Sequence, residues 1–126
     1  MVLSPSSFLG VLLGGALGSL LRFLTQHWLE ARTGFLPYGT ITVNLLGSFL
    51  IGLLMTWAAN NTTINSLRPL LVVGFLGGFT TFSGLTWDAY QILLSRGAVS
   101  SLEYLGISLF GGFVALAGGI FLGRVI

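Results

Sequence analysis

The stretch GFLGGFTTFSG, residues Gly74 to Gly84, decides how this chain folds. It lies within a hydrophobic segment, yet it holds four glycines and three hydroxyl side chains. Glycine weakens a helix, and each hydroxyl needs a partner where no water is present. Non-helical backbone at membrane depth is tolerated only where it is buried in protein or lines an aqueous cavity. We therefore predict a break in a membrane-spanning helix here, beside an ion path.

The composition around this stretch indicates an integral membrane protein. Of the 126 residues, 54% are hydrophobic and only 6% are charged, whereas about a quarter of a soluble domain is charged. Crossing the hydrocarbon layer takes about 20 apolar residues per helix. We predict an all-α membrane protein in which residues 1–126 form a single domain of four transmembrane helices, surrounded by membrane lipid.

The four spans follow one another with short connections. They are predicted at about residues 8–28, 38–59, 68–94 and 102–125, with the glycine-rich stretch in the third. The connections fall at residues 30–34, 60–63 and 95–97. The N-terminus lacks the positive region of a signal peptide, and the apolar run after it is too long for one, so it is interpreted as the first span.

The charged residues give little guidance on orientation. Arg68 and Arg124 belong to one side of the membrane, Arg32 and Arg96 to the other, and Arg22 leans towards the second group. This near balance gives almost no positive-inside bias. Two interpretations remain open at this point: an antiparallel homodimer of dual topology, or a small protein with few charges.

Small residues recur every four positions in the first and fourth spans. This spacing lets helix backbones approach closely in lipid, and it predicts tight helix packing without indicating what is transported. The residues are Gly10, Gly14 and Gly18 in span 1 and Gly111, Ala115, Gly119 and Gly123 in span 4.

Uncharged polar side chains lie inside the other spans and point to an anion. Asn44 has Thr40 and Ser48 four residues to either side, and an amide inside a span must be hydrogen-bonded or hydrated. Spans 3 and 4 add hydroxyl groups, at Thr80, Thr81, Ser83, Tyr104 and Ser108. Such donors, with the positive edges of aromatic rings, replace the lost hydration of an anion. Hydrogen bonding between helices is the open alternative for Asn44.

The chain lacks the parts of an enzyme. Asp88 is the only carboxylate that lies plausibly within a span, His27 is solitary, and there is no acidic pair or nucleophile–base arrangement. Without cysteine there is no thiolate metal site. The formal charge of +2 includes no basic cluster, so no nucleic acid partner is expected. Arg22 either adds positive potential to the ion path or snorkels to the interface.

Three motifs resemble the Fluc/CrcB fluoride channels of bacteria. They are GALGSLLRF (residues 15–23), YGTITVNLLGSFLIG (residues 38–52) and GFLGGFTTFSG (residues 74–84), and the resemblance covers all four spans. It implies an antiparallel, dual-topology homodimer in the bacterial cytoplasmic (inner) membrane. It also implies two passive pores that export fluoride and confer fluoride resistance.

The resemblance also implies roles for individual residues. A structural sodium ion at the dimer centre would be held by the backbone carbonyls of Gly77 and Thr80 from each subunit. Asp88 matches an acid at a pore end. The predicted ion pathway consists of Asn44, the pore phenylalanine Phe82, the polar-track residues Tyr104 and Ser108, the vestibule arginine Arg22, and the hydroxyls of Thr40 and Ser83.

The sequence departs from the family pattern at four positions. Gly84 and Leu85 replace a threonine and the second pore phenylalanine, and Gly112 and Leu116 stand where hydroxyl residues are common. Three explanations remain open: slower conduction by the homodimer, partial replacement of the missing ring by Phe79, or a subunit that works beside a complementary homologue.

A small proton-coupled multidrug exporter is the alternative from another class of protein. Such exporters share the size, the four spans and the dual topology. They need a membrane-embedded glutamate in span 1 to exchange protons for a cationic substrate. Span 1 has only Glu30, at its end, so the sequence argues against this function.

Overall fold

The computed structural model describes residues 3–33 and 36–126, and every regular element in this part of the chain is helical. Gly34, which belongs to the first predicted connection, lies outside the described residues, as does the side chain of Arg32. The elements are α1 (Pro5–Thr33), α2 (Tyr38–Asn60), α3 (Thr62–Ser66), a π-helical segment (Pro69–Leu76), α4 (Gly77–Phe79), α5 (Phe82–Arg96) and α6 (Ala98–Val125).

Four stretches in the described ranges are long and apolar enough to cross a membrane. They are Pro5–Glu30, Tyr38–Asn60, Pro69–Arg96 and Ala98–Val125. The prediction of an all-α membrane protein with four spans is therefore confirmed. The third span is composite, because it contains the π-helical segment, α4 and α5.

The ends of the spans differ from the prediction for local reasons. Helix α1 continues to Thr33, so residues 30–33 are helical and not a connection. The second connection contains the short helix α3, because the Asn61 side chain caps it by accepting a hydrogen bond from the Ile64 N–H (3.0 Å). The fourth span begins at Ala98 and not at Leu102, because Gly97 reverses the chain with a positive φ of 92°.

The glycines of α1 pack directly against the first half of the third span. A β-carbon on Gly14 would collide with the Leu70 carbonyl oxygen and lie 2.8 Å from the Phe75 nitrogen. On the facing backbone, a β-carbon on Gly78 would lie 2.6 Å from the Gly15 carbonyl oxygen. The predicted packing role of the span 1 glycines is confirmed.

The glycines of α6 pack against α2 in the same manner. A β-carbon on Gly119 would collide with the Phe49 carbonyl oxygen, and one on Gly123 would lie 3.0 Å from the Leu53 carbonyl oxygen. Two backbone-to-backbone contacts, α1 with the third span and α2 with α6, therefore organise the four spans.

We predict that Gly14→Ala lowers the thermal unfolding midpoint of the purified protein in detergent. The new methyl group must displace backbone atoms of the third span, which we expect to cost about 1–3 kcal/mol. The matched control is Gly106→Ala, because a β-carbon on Gly106 meets nothing within 4 Å. An equal midpoint for the two variants would contradict the packing described above.

Candidate functional site

Thr80 and Thr81 separate α4 from α5 with extended backbone. Thr80 has φ −88° and ψ 160°, and Thr81 has φ −151° and ψ 118°. The Thr80 N–H still donates to the Leu76 carbonyl (3.0 Å), as in a helix. The Thr81 hydroxyl then caps α5 by accepting a hydrogen bond from the Gly84 N–H (2.9 Å). At this interruption, α4 thus ends with one local hydrogen bond and α5 begins with another.

The Asn44 side chain forms two hydrogen bonds with Thr81 across the helix interface. The Thr81 N–H donates to Asn44 Oδ1 (2.8 Å), and Asn44 Nδ2 donates to the Thr81 carbonyl (2.9 Å). In a continuous α-helix the Thr81 N–H would instead donate to the Gly77 carbonyl. Hydrogen bonding between helices, the alternative considered for Asn44, is therefore confirmed, and the Gly77 carbonyl is released from its usual donor.

Arg22 reaches the same interruption from α1. Its Nη1 donates to the Thr80 carbonyl oxygen at 3.2 Å. The guanidinium group thus points inward to the third span and does not snorkel along α1. Its positive charge lies next to one of the two carbonyl groups predicted to bind sodium.

A groove of about 460 Å³ opens beside the interruption. Five predicted site residues line it together, namely Asn44, Gly77, Thr80, Phe82 and Ser108. Three of the positions that depart from the family pattern line it too, namely Leu85, Gly112 and Leu116. The described lining residues include no carboxylate. The groove is therefore uncharged, with scattered donors in an apolar wall.

Ser108 places a buried hydroxyl group beside the groove, one helical turn from Tyr104. The residue is only 7% exposed, and its Oγ has no hydrogen-bond partner in the described part of the chain. Leaving a buried hydroxyl unsatisfied costs about 1–3 kcal/mol. Because Oγ itself is buried, a ligand in the groove would reach this hydroxyl only after the side chain turned towards it.

A second pocket of about 330 Å³ lies on the other side of the interruption. Arg22 and Ser83, both predicted site residues, line it with Ser19, Phe23, Gln26, Thr81 and Gly84. One guanidinium, several hydroxyls and an amide make this pocket positive and rich in donors. The structure thus divides the predicted residues between two spaces that share Thr81.

Thr40 and Tyr104 line neither space but lie in a buried polar cluster between the helices. Thr40 is 1% exposed, and its hydroxyl accepts a hydrogen bond from Gln26 Nε2 (3.0 Å). The Tyr104 hydroxyl donates to Asp88 Oδ2 (3.3 Å). Gln26 was missed in the sequence, although it follows Arg22 by one helical turn and is itself an amide inside a span.

Phe79 does not replace the missing ring, so that explanation of the Leu85 substitution is wrong. Its side chain is buried and stacks on Phe75, with ring centroids 5.7 Å apart. The ring lies close to Gly47 of α2, where a β-carbon would be in ordinary van der Waals contact with it at 3.9 Å. Leu85, in contrast, packs on Ala89 between α5 and α6 and also borders the groove.

The amino-acid sequence matches the model of a known protein family. The family model "CrcB-like protein, Camphor Resistance (CrcB)" aligns with residues 9–120. The chain belongs to this family. The match begins in α1 and ends in α6, so it includes the interruption and both pockets.

Several known proteins are similar to this chain along nearly their whole length. A fluoride-specific ion channel FluC of Chlorobium chlorochromatii is 43% identical, over 98% of this chain and 97% of the relative. The FluC of Agrobacterium fabrum is 44% identical over 88% and 90%, and that of Chloroflexus aurantiacus 39% over 94% and 96%. These relatives are ion channels, and the chain, as a member of their family, is not an enzyme.

We predict that Thr81→Val destabilises the start of α5. The valine keeps the shape of threonine but cannot accept the hydrogen bond from Gly84, and loss of such a cap costs about 1 kcal/mol. The thermal unfolding midpoint in detergent measures this loss. Thr86→Val is the control, because the Thr86 hydroxyl donates only to the Ser83 carbonyl within α5. A larger loss in the control would contradict the capping role.

Proposed function

We propose that the protein is a fluoride-selective, passive channel of the bacterial cytoplasmic membrane, built from residues 1–126 as one transmembrane domain. The observation that carries this proposal is the groove, which Asn44, Phe82 and Ser108 line without a carboxylate. Neutral donors suit an anion and lack the proton-binding groups of a coupled transporter. The relatives named fluoride-specific ion channels support fluoride as the anion.

Conduction would proceed by replacing the water around fluoride with protein donors. Arg22 and its pocket raise the local concentration of anions at the entrance, because a positively lined cleft attracts counter-ions. In the groove, the polar groups of Asn44 and Ser108 and the ring of Phe82 would take the place of water around the dehydrated ion. No step needs an energy source, so fluoride follows its own gradient out of the cell.

The working unit in this proposal is an antiparallel homodimer with two pores. Phe82 is 73% exposed in the single chain, and Gly77 is also exposed. A second copy would cover both residues and close the groove. The near balance of arginines between the two ends of the spans supports insertion in both orientations.

A structural sodium ion at the dimer centre fits the oxygen atoms present. The Gly77 carbonyl is released from its helical donor, and the Thr80 carbonyl belongs to extended backbone. Two such oxygens from each subunit would form a cage of uncharged ligands, with the Arg22 guanidinium as a repulsive charge beside it. Thr80 O can accept from Arg22 and still offer a second lone pair. The described residues hold no cluster of acidic, histidine or cysteine side chains for another kind of metal site.

A subunit of a heterodimeric fluoride channel is the second candidate. Leu85, Gly112 and Leu116 line the groove and offer neither a ring edge nor a hydroxyl. A complementary homologue would supply the ring edge and the hydroxyl groups that these three residues lack. Membership of the CrcB family speaks against the exporter, because its named relatives are channels.

Fluoride efflux from liposomes tests the function directly. With sodium present and the purified dimer intact, we expect the protein to release fluoride faster than empty vesicles do, and far faster than it releases chloride. Efflux no faster than from empty vesicles would rule out the homomeric channel. Activity that appears only on coexpression with a homologous subunit would favour the heterodimer.

We predict that Phe82→Ile blocks fluoride flux while the dimer is preserved, because it removes the ring edge from the groove. Asn44→Asp should also abolish flux, since a negative charge there repels the anion. Phe121→Ile, an exposed ring that does not line the groove, is the control and should retain flux. Wild-type flux in the Phe82 and Asn44 variants would mean that the path uses other residues.

A further inference from the structure

We propose that Asn44 is a positioning residue for the cation site. Its amide holds Thr81 in the extended conformation that exposes the Gly77 and Thr80 carbonyls. This inference rests on the proposed function, because it assumes the sodium ion at these carbonyls. It gives Asn44 a role at the backbone of the third span, in addition to its predicted place in the ion pathway.

The direction of the two hydrogen bonds carries the argument. In an extended residue, the N–H and C=O groups point to the same side, so a neighbouring strand can bind both. In an α-helix, the same two groups point along the axis in opposite directions. Asn44 Oδ1 and Nδ2 bind both groups of Thr81 at 2.8 and 2.9 Å. The Asn44 amide therefore fits an extended Thr81 and cannot make this pair of bonds to a helical one.

The bonds to Thr81 act on both predicted sodium ligands. The Thr81 N–H that Asn44 accepts is the donor that would otherwise bind the Gly77 carbonyl. The carbonyl of Thr80 belongs to the peptide group that contains this same N–H, so fixing the N–H orients the Thr80 oxygen as well. The Asn44 side chain thus frees the Gly77 carbonyl from its helical donor and orients the Thr80 carbonyl.

These two bonds engage part of the Asn44 amide and leave the second Nδ2 hydrogen for the groove that Asn44 lines. Oδ1 is an acceptor that repels anions, and one of the two Nδ2 hydrogens is committed to the Thr81 carbonyl. The other contacts at the interruption do not replace this amide. Arg22 binds the Thr80 carbonyl but not Thr81, and the Thr80 hydroxyl donates to Leu76.

Asn44→Leu tests the assignment, because leucine has a similar shape and makes neither hydrogen bond. Two quantities are measured on the purified full-length dimer in detergent: hydrogen exchange of the Thr81 amide, and the sodium concentration that half-saturates the rise in thermal stability. We expect Thr81 exchange to accelerate about tenfold or more. The half-saturating sodium concentration should rise about 10–100-fold, as for other residues that orient metal ligands.

Thr56→Val is the matched control on α2. It too removes a polar group from the helix, but the Thr56 hydroxyl donates within α2, to the Gly52 carbonyl. We expect wild-type exchange of Thr81 and a wild-type sodium dependence. If Asn44→Leu does not fold, Asn44→Ser replaces it, and its shorter hydroxyl should cause changes in the same direction.

The results separate the two roles of Asn44. Unchanged Thr81 exchange and unchanged sodium dependence in Asn44→Leu would overturn the positioning role, whatever the variant does to fluoride flux. A wild-type protein that sodium does not stabilise would overturn it as well. Failure of the fluoride function is recognised separately, by wild-type protein that binds sodium but gives no fluoride efflux.

Discussion

The structure depends on the pair of hydrogen bonds between the Asn44 amide and Thr81. A lipid bilayer offers no water to exposed peptide groups, so an interrupted helix must find partners inside the protein. Asn44 supplies a donor and an acceptor to Thr81, and Arg22 supplies a donor to the Thr80 carbonyl. With these partners, two extended residues are accommodated in the middle of a span.

Close packing of glycine brings those partners within reach. Gly14 and Gly18 allow α1 to lie against the backbone of the third span, which carries Arg22 to the Thr80 carbonyl. Gly47 has the same effect on α2, since a β-carbon there would collide with the Thr80 methyl group. The stripes of small residues therefore have an indirect functional role: they set the helix separation at which side chains span the gap.

The chemistry of the groove follows from the absence of charged side chains among its described lining residues. Its described lining residues carry no carboxylate, and its polar side chains, Asn44 and Ser108 among them, are uncharged. Such a wall penalises cations that need charged ligands and favours a small anion that accepts hydrogen bonds. Leu85, Gly112 and Leu116 make this wall more apolar than the family pattern. The larger share of apolar surface in the groove is thus the feature that distinguishes this chain from the family pattern.

The sequence by itself determined the class of protein, the four spans, the packing stripes and the candidate residues. These features depend on composition and local spacing, which the linear chain records. Only the tertiary structure decided the partners: Asn44 with Thr81 across 37 residues, and Gln26 with Thr40. Such pairs depend on the rotation and separation of packed helices, and a change of one residue in helix rotation turns a side chain by about 100°. Four-residue spacing identifies a helix face, but packing determines which groups that face meets.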